Sequence, residues 1–231
     1  MNTNRKIART VGILFIIGTI AGMLSYAFIL PVLNAPDYLV KLAESKWRVF
    51  GGVLLVLTMG ISLSSMTVVL YPVLKKYNET LAMGALVFRG VLELASYFGT
   101  MISWSLLLTL SKEYVSAGTP AVSSFPLIGT MLFDLSDQIG NMAGTIVFSI
   151  GALFVYYIFY KTKLIPTWLS LWGILGAILY LSTGILFIVG FNFMFLQAVL
   201  GVQEMVMAVW LIVKGFNSSA FNSLMAKQQI K

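Results

Sequence analysis

Apolar residues dominate this chain in six long runs, and short segments between the runs carry most of the charged residues. The runs cover about 11–33, 47–71, 81–110, 130–160, 167–189 and 193–213. About 20 apolar residues are enough to cross the hydrocarbon core of a bilayer as an α-helix, which makes all its backbone hydrogen bonds internally. The pattern therefore predicts an all-α, polytopic six-helix transmembrane bundle. Residues 1–216 are expected to form one membrane domain, followed by a polar, flexible C-terminal tail over 217–231.

The composition agrees with a membrane protein and excludes several kinds of chemistry. Hydrophobic residues make up 59% of the chain and charged residues 10%, whereas a typical soluble domain is about 25% charged. The chain has no Cys and no His, which excludes thiolate nucleophiles, His general bases and Cys/His metal sites. It also lacks P-loop, GxGxxG, GxSxG and HExxH motifs. We therefore expect no cofactor and no metal site, and an enzyme is the less favoured interpretation.

The positions of the basic residues predict the orientation in the membrane. If the N-terminus is cytoplasmic, ten of the 15 basic residues lie on the cytoplasmic side, four lie outside, and Arg89 lies within the membrane. Cytoplasmic segments of membrane proteins are enriched in Lys and Arg, so both termini are expected to be cytoplasmic. The net charge of +7 is then explained by topology signals and by contact with the lipid bilayer, with no nucleic-acid partner.

The third apolar run carries a polar stripe along one helical face. Arg89, Glu93, Ser96, Thr100 and Ser103 follow the spacing i, i+4, i+7, i+11 and i+14, which places them on one side of a helix. A charge at the bilayer centre costs about 2.5–3.5 kcal/mol on insertion scales. The stripe is therefore expected to face the interior of the bundle.

Glu204, in the sixth run, lies at a depth similar to that of the Arg89–Glu93 pair. At a rise of 1.5 Å per residue it is roughly 16 Å from the outer end of its helix, near the midplane. One Arg between two carboxylates leaves an excess negative charge, which favours protonation of one carboxylate. Arg89, Glu93 and Glu204 are thus candidates for a ligand or proton site. The alternative is a structural clamp that fixes the register of the third and sixth helices.

The fourth run adds further polar residues, and regular α-helical spacing would place Asp134, Gln138, Asn141, Thr145 and Ser149 on one face. Asp134 and Asp137, counted back from the end of this run, fall at or beyond the outer edge of the hydrocarbon core. They are either solvated residues at a helix start, where carboxylates suit the helix dipole, or an acidic outer vestibule. Individual Ser and Thr hydroxyls can also simply bond to carbonyls of their own helix. The candidates for a polar path are Gln203, Asp134, Asp137, Gln138, Asn141, Thr145, Ser96 and Thr100.

Several short motifs together resemble a known family. They are RKIAR at 5–9 with GILF at 12–15, LYPVLKK at 70–76, FR at 88–89 with Glu93, LIPTWLS at 164–170, and QEM at 203–205 with VWLIVKGF at 209–216. This combination resembles the bacterial membrane-protein family called domain of unknown function 4386. The resemblance covers nearly the whole chain and implies a six-helix protein of the bacterial cytoplasmic membrane. It implies no activity.

Three hypotheses for the function follow. The first is a transporter-like or ligand-binding membrane protein with a midplane Arg/Glu site for a small polar or lipid ligand. The second is an intramembrane enzyme that modifies lipids with two carboxylates and has a pocket open to lipid. The third is a non-catalytic partner or assembly protein with a closed, dry interior. GxxxG pairs allow close helix approach, so Gly18 with Gly22 and Gly140 with Gly144 are candidate faces for a homo-oligomer.

Overall fold

Six long helices make up most of the protein. The computed structural model describes residues 3–119 and 124–226. Its six apolar helices, the first to sixth spans, are Thr3–Leu33, Lys46–Leu74, Glu79–Ser116, Phe125–Thr162, Thr167–Ile188 and Met194–Val213. Each is long and apolar enough to cross a bilayer, and no strand occurs in the described residues. The predicted all-α, six-helix transmembrane bundle is confirmed.

Several helices extend into segments that the hydropathy pattern leaves outside the membrane. The third and fourth spans have 38 residues each, about 57 Å at 1.5 Å per residue, against a hydrocarbon core of about 30 Å. The first connection contains a short helix, Tyr38–Glu44, whose Leu39 and Leu42 are buried. One alternative placed Asp134 and Asp137 at the start of a helix. The fourth span begins at Phe125, so both residues instead lie well inside that helix.

The C-terminal segment also differs from the sequence-based expectation. Instead of a flexible tail, Ser218–Ala226 forms a helix. The side chain of Asn217 accepts a hydrogen bond from the backbone N–H of Ser219 at 3.1 Å, as residues at helix starts commonly do. Phe221 and Leu224 are buried against the bundle, which explains why a short polar stretch is ordered. The rest of the predicted tail, 227–231, lies outside the described residues.

The two ends of the membrane domain lie on the same face of the bundle. Arg5 and Arg9 donate hydrogen bonds to the backbone oxygens of Val213 and Ile212, each at 3.4 Å. We call this the proximal face. The distal face holds the opposite ends of the spans, at Leu33, Lys46, Ser116, Phe125, Ile188 and Met194. The direction of the two faces relative to the cytoplasm stays a prediction.

The apolar core has a large proximal part and a smaller distal part. The proximal cluster joins all six spans and includes Phe15, Met66, Leu70, Phe159 and Leu211. The distal cluster joins the first three spans and includes Ile29, Val49, Val56, Trp104 and Leu107. Large apolar side chains also cover the outside of the bundle, among them Leu54, Ile102, Ile178 and Val209. Such a surface is suited to lipid and not to water.

The GxxxG glycines make contacts within the chain. A Cβ added at Gly18 would lie 2.8 Å from the side chain of Leu63, and Gly22 is similarly close to Met59. Gly144 packs against Ser96, and Gly140 lies near Tyr26. These glycines therefore permit close packing between spans of one chain, and self-association through them stays a prediction.

A close approach at Gly12 can be tested directly. In Gly12→Ala the new Cβ would lie 2.6 Å from the backbone oxygen of Ala208, so the first and sixth spans would have to separate. We expect the apparent melting temperature in detergent to fall by several degrees, because overpacking costs about 1–3 kcal/mol. Gly201→Ala is the matched control, since no atom lies within 4 Å of its added Cβ. Equal losses in both variants would contradict this packing argument.

Candidate functional site

Arg89 lies in a π-helical stretch of the third span, Leu86–Leu92. Such widened turns are rare inside α-helices and are frequent at functional sites. The fourth span approaches this turn at Gly151, where an added Cβ would lie 2.7 Å from the backbone nitrogen of Arg89. The absence of a side chain at Gly151 thus allows the backbones of the two spans to meet beside Arg89. This contact fixes the position from which the guanidinium reaches into the bundle.

The Arg89 guanidinium is buried and bound on several sides. The residue is only 2% exposed, and its Nη2 donates to Oε1 of Glu204 at 2.7 Å. The guanidinium carbon lies 4.3 Å from the centre of the Phe148 ring and 5.3 Å from that of Phe15. A charge-assisted hydrogen bond and two aromatic faces together replace much of the water that the cation loses. The ion pair connects the third and sixth spans.

Glu93 is the second buried carboxylate and lies one turn further along the third span. It is 1% exposed, and its Oε1 accepts a hydrogen bond from the hydroxyl of Tyr97 at 2.6 Å. Its other oxygen, Oε2, is buried and has no hydrogen-bond partner among the described residues. Buried polar atoms without a partner are uncommon in proteins and call for an explanation. A proton on Glu93, or a ligand in front of it, would supply one.

The charges at this site do not balance. Arg89 forms its ion pair with Glu204 and has no hydrogen bond to Glu93. Glu204 also accepts a longer hydrogen bond, of 3.4 Å, from the hydroxyl of Tyr156. The pair is neutral as a unit, so Glu93 carries the surplus charge of the three ionisable groups. In a low-dielectric interior such a charge is costly unless a proton or a cation neutralises it.

A second π-helical stretch, Ile139–Gly144, lies in the fourth span. Within it Asn141 donates a hydrogen bond to the carboxylate of Asp137, and just after it the hydroxyl of Thr145 donates to the backbone oxygen of Gly140 at 3.1 Å. The extra residue in this stretch changes which side chains share a face. Asp137 and Asn141, four residues apart, lie on the same side of the fourth span.

A cavity of about 560 Å³ is bordered by residues of all six spans, including Gly140, Asn141 and Gly144 of the second π-helical stretch. Glu93 and Glu204 border its deep end, and Leu30 and Met194 border it near the distal face. The ten residues from Met194 to Glu204 correspond to about 15 Å along the sixth span. The polar residues in the lining are Thr19, Tyr26, Glu93, Ser96, Tyr97, Thr100, Asp137, Asn141, Thr145, Tyr180, Gln197 and Glu204.

Most of the residues singled out in the sequence border this cavity, and four do not. Arg89 lies behind Glu204 and is not part of the lining. Gln203 points away, because its amide donates to the backbone oxygen of Leu169 at 2.9 Å and fixes the sixth span against the fifth. Asp134 and Gln138 are exposed and lie outside the cavity. Asp134 and Gln138 were expected to line the cavity because regular α-helical spacing was assumed for the fourth span. The π-helical stretch changes this spacing, so that Asp137, and not Asp134 or Gln138, shares a face with Asn141.

The sequence also left out the aromatic residues of the site. Tyr97, Tyr180, Tyr26 and Phe148 line the cavity, and Tyr156 contacts Glu204 from the fourth span. Tyr97 could have been found, since it follows Glu93 by one helical turn on the polar stripe. The others come from spans whose aromatic residues resemble ordinary core residues, and only the tertiary fold brings them together.

The Ser and Thr hydroxyls of the lining mostly bond to their own helices. Ser96 donates to the backbone oxygen of Glu93 at 2.7 Å, and Thr100 donates to that of Ser96 at 3.4 Å. This matches the helix-internal bonding considered as the simpler alternative. The hydroxyl oxygens therefore offer lone pairs, and not protons, to the cavity. In the part of the chain that the structure describes, no three acidic side chains come together as a metal site.

The different roles of the two glutamates give a stability test. Arg89→Met leaves the buried carboxylate of Glu204 without its cation, so we expect a loss of about 3–5 kcal/mol, as for other broken buried pairs. Glu93→Gln keeps the acceptor for Tyr97 and removes only the surplus charge, so the apparent melting temperature should stay equal or rise. Adding Glu204→Leu to Arg89→Met should recover part of the loss. A loss of stability in Glu93→Gln as large as that in Arg89→Met would contradict this division of roles.

Comparison with known proteins assigns the family but no activity. A family model described as Domain of unknown function (DUF4386) matches residues 10–215. The match extends from the first span to just beyond the sixth. No curated protein and no solved structure matches the chain. With nearly the whole membrane domain matched, the chain belongs to the family described as Domain of unknown function (DUF4386).

Proposed function

We propose that this multi-pass membrane protein binds a small ligand in its cavity and exchanges a proton at Glu93, as a transporter does. One observation carries the proposal: a buried carboxylate with no cation of its own borders a cavity of about 560 Å³. Ionisable residues at membrane depth commonly mark ion and substrate paths or proton relays. Substrate sites of secondary transporters commonly lie near the midplane of the membrane, as Glu93 and Glu204 do by helix length.

The shape of the interior supports a carrier. The cavity extends from the two glutamates to the distal ends of the first and sixth spans. In the proximal half, buried apolar side chains such as Phe15, Met66 and Leu211 occupy the space between the spans. Access from one face with a packed opposite half is the arrangement of one state in alternating access. Ligand and proton would both enter from the distal side.

The surroundings of Glu93 define what controls its charge. On its own helix Arg89 and Tyr97 are nearest. Glu204 comes from the sixth span, Tyr156 from the fourth through its contact with Glu204, and Tyr180 from the fifth. Tyr26 of the first span and Asp137 of the fourth line the same cavity, and the second span contributes the apolar side chains of Val56, Met59 and Leu63. Only Arg89 is cationic in this set, and Glu204 already neutralises it.

The two alternatives have less support. A non-catalytic assembly protein was expected to have a dry, closed interior and free GxxxG faces. This bundle instead has a cavity with polar residues in its lining, and its GxxxG glycines pack within the chain. An enzyme using two carboxylates as acid and base needs both of them available. Here Glu204 is engaged by Arg89 and Tyr156, which leaves Glu93 alone at the deep end.

Infrared spectroscopy can detect the proposed proton. In lipid nanodiscs at about pH 6, solvated Asp and Glu side chains are ionised, since their ordinary pKa values are about 3.9 and 4.3. We expect the wild-type protein to show the C=O band of a protonated carboxyl group under these conditions. The band should disappear in Glu93→Gln and remain in Asp134→Asn, which alters an exposed carboxylate outside the cavity. A band that persists in Glu93→Gln would overturn the proposed proton site.

We also propose that the proximal face is cytoplasmic, in the cytoplasmic membrane of a bacterium. The ten-to-four distribution of basic residues supports this orientation. The distal opening of the cavity would then face the outside of the cell.

Cysteine labelling tests the orientation, because the chain has no cysteine of its own. Asn34→Cys places a thiol at the distal face, and Ser219→Cys places one at the proximal face; both positions are exposed. In intact cells a membrane-impermeant maleimide should label Asn34→Cys only, and Ser219→Cys should react after lysis. Labelling in the reverse order would show that the proximal face is outside.

A further inference from the structure

We infer that the ligand is an organic cation with an apolar body, and that its charge replaces the proton on Glu93. This inference rests on the proposed function of the cavity and adds the chemical class of the ligand. It follows from three separate properties of the lining: its charges, its hydrogen-bonding groups and its aromatic surface.

The charges of the lining are all negative. Glu93, Glu204 and Asp137 border the cavity, and no Lys or Arg among the described residues does. Arg89 is the nearest cation, but Glu204 binds it at 2.7 Å and the rings of Phe15 and Phe148 flank its guanidinium. An anionic ligand would therefore meet carboxylates before any free cation. A cationic ligand would meet Asp137 nearer the distal face and Glu93 at the deep end.

The hydrogen-bonding groups of the lining are mostly acceptors. Hydroxyl protons of Ser96, Thr100 and Thr145 are donated to backbone oxygens of their own helix. The amide of Asn141 donates to Asp137, and that of Gln197 donates to the hydroxyl of Thr183 at 3.0 Å. What remains toward the cavity is rich in lone pairs, with hydroxyl groups on Thr19, Tyr26 and Tyr180 as the other polar groups. Such a lining suits a ligand that brings its own N–H groups or a positive charge.

The aromatic and apolar side chains indicate an organic ion. Tyr26, Tyr97, Tyr180 and Phe148 lie in the lining with apolar residues such as Leu63. Aromatic faces attract cations, most strongly where water is excluded. A volume of about 560 Å³ falls within the range of about 300–1,000 Å³ that is usual for small-molecule sites. An inorganic ion would leave most of this apolar surface without a contact.

The exchange keeps the charge of the site constant. With the site empty of ligand, Glu93 holds a proton and the Arg89–Glu204 pair is neutral. When the cation enters, the carboxyl O–H bond of Glu93 breaks, its proton leaves to water at the distal face, and the carboxylate pairs with the cation. One positive charge replaces another, so the low-dielectric interior never holds an unpaired charge. Cation and proton therefore compete, and the affinity for the cation should fall as the pH is lowered.

Calorimetry with a permanent cation tests this inference. Benzyltrimethylammonium has no titratable proton, so any proton released on its binding comes from the protein and is taken up by the buffer. Titrations of the purified full chain in two buffers of different ionisation enthalpy give the number of protons released per bound cation. We expect release approaching one proton per bound cation in the pH range where Glu93 is protonated, with tighter binding at higher pH. Benzylphosphonate, of similar size but anionic, should not bind.

Three variants separate the residues of the site. Glu93→Gln should weaken benzyltrimethylammonium binding by about tenfold or more and abolish proton release, because a charge-assisted contact is lost. Asp137→Asn should weaken binding by a smaller factor and keep the proton release. Asp134→Asn, exposed and outside the cavity, should bind like the wild type. Since Glu93→Gln retains the shape of the side chain, its folding can be verified by thermal unfolding.

The outcomes distinguish this inference from the proposed function. If the protonated carboxyl band depends on Glu93 but benzyltrimethylammonium does not bind, the organic-cation inference is overturned and the proton site stands. If the band is absent from the wild type, both fail. Binding of benzylphosphonate in place of the cation, or cation binding of equal strength in Glu93→Gln, would also overturn the inference.

Discussion

The ion pair between Arg89 and Glu204 is the interaction on which the rest of the interior depends. Arg89 comes from the third span and Glu204 from the sixth, and both are buried at membrane depth. Neither could be accommodated there alone, because an isolated charge at the bilayer centre costs about 2.5–3.5 kcal/mol even on insertion scales. The surrounding structure serves the pair: Gly151 allows the fourth span to contact the backbone of Arg89, and Phe148 covers the guanidinium.

This arrangement divides the roles of two glutamates that look equivalent in the sequence. Glu204 is held by Arg89 and by the hydroxyl of Tyr156, so the idea of a structural clamp suits it well. Glu93 has one oxygen bound by Tyr97 and one oxygen without a partner, so the idea of a ligand or proton site suits it better. The two interpretations of the Arg/Glu cluster are therefore compatible, because each concerns a different carboxylate.

The sequence was informative where a structural feature depends on the mean hydropathy of many residues. A run of about 20 apolar residues predicts a span whatever the neighbouring helices do, and all six spans were found this way. The sequence was misleading where one additional residue in a helical turn changes which side chains share a face. The two π-helical stretches, Leu86–Leu92 and Ile139–Gly144, have no hydropathy signature, so the fourth-span face was assigned wrongly around Asp134 and Gln138. Contacts of Tyr156 and Tyr180 depend on tertiary packing and could not be read from spacing.

The net charge of the chain and the charges that border its cavity favour ligands of opposite sign. The chain carries 15 basic and eight acidic residues, which on its own would favour an anionic partner. Most of the basic residues lie near the ends of the spans, where they suit the orientation of the helices and the lipid headgroups. Three of the acidic residues, Glu93, Asp137 and Glu204, border the cavity, and no basic residue within 3–119 or 124–226 does. The proposal of a cationic ligand therefore rests on these few interior side chains, and not on the net charge of the whole chain.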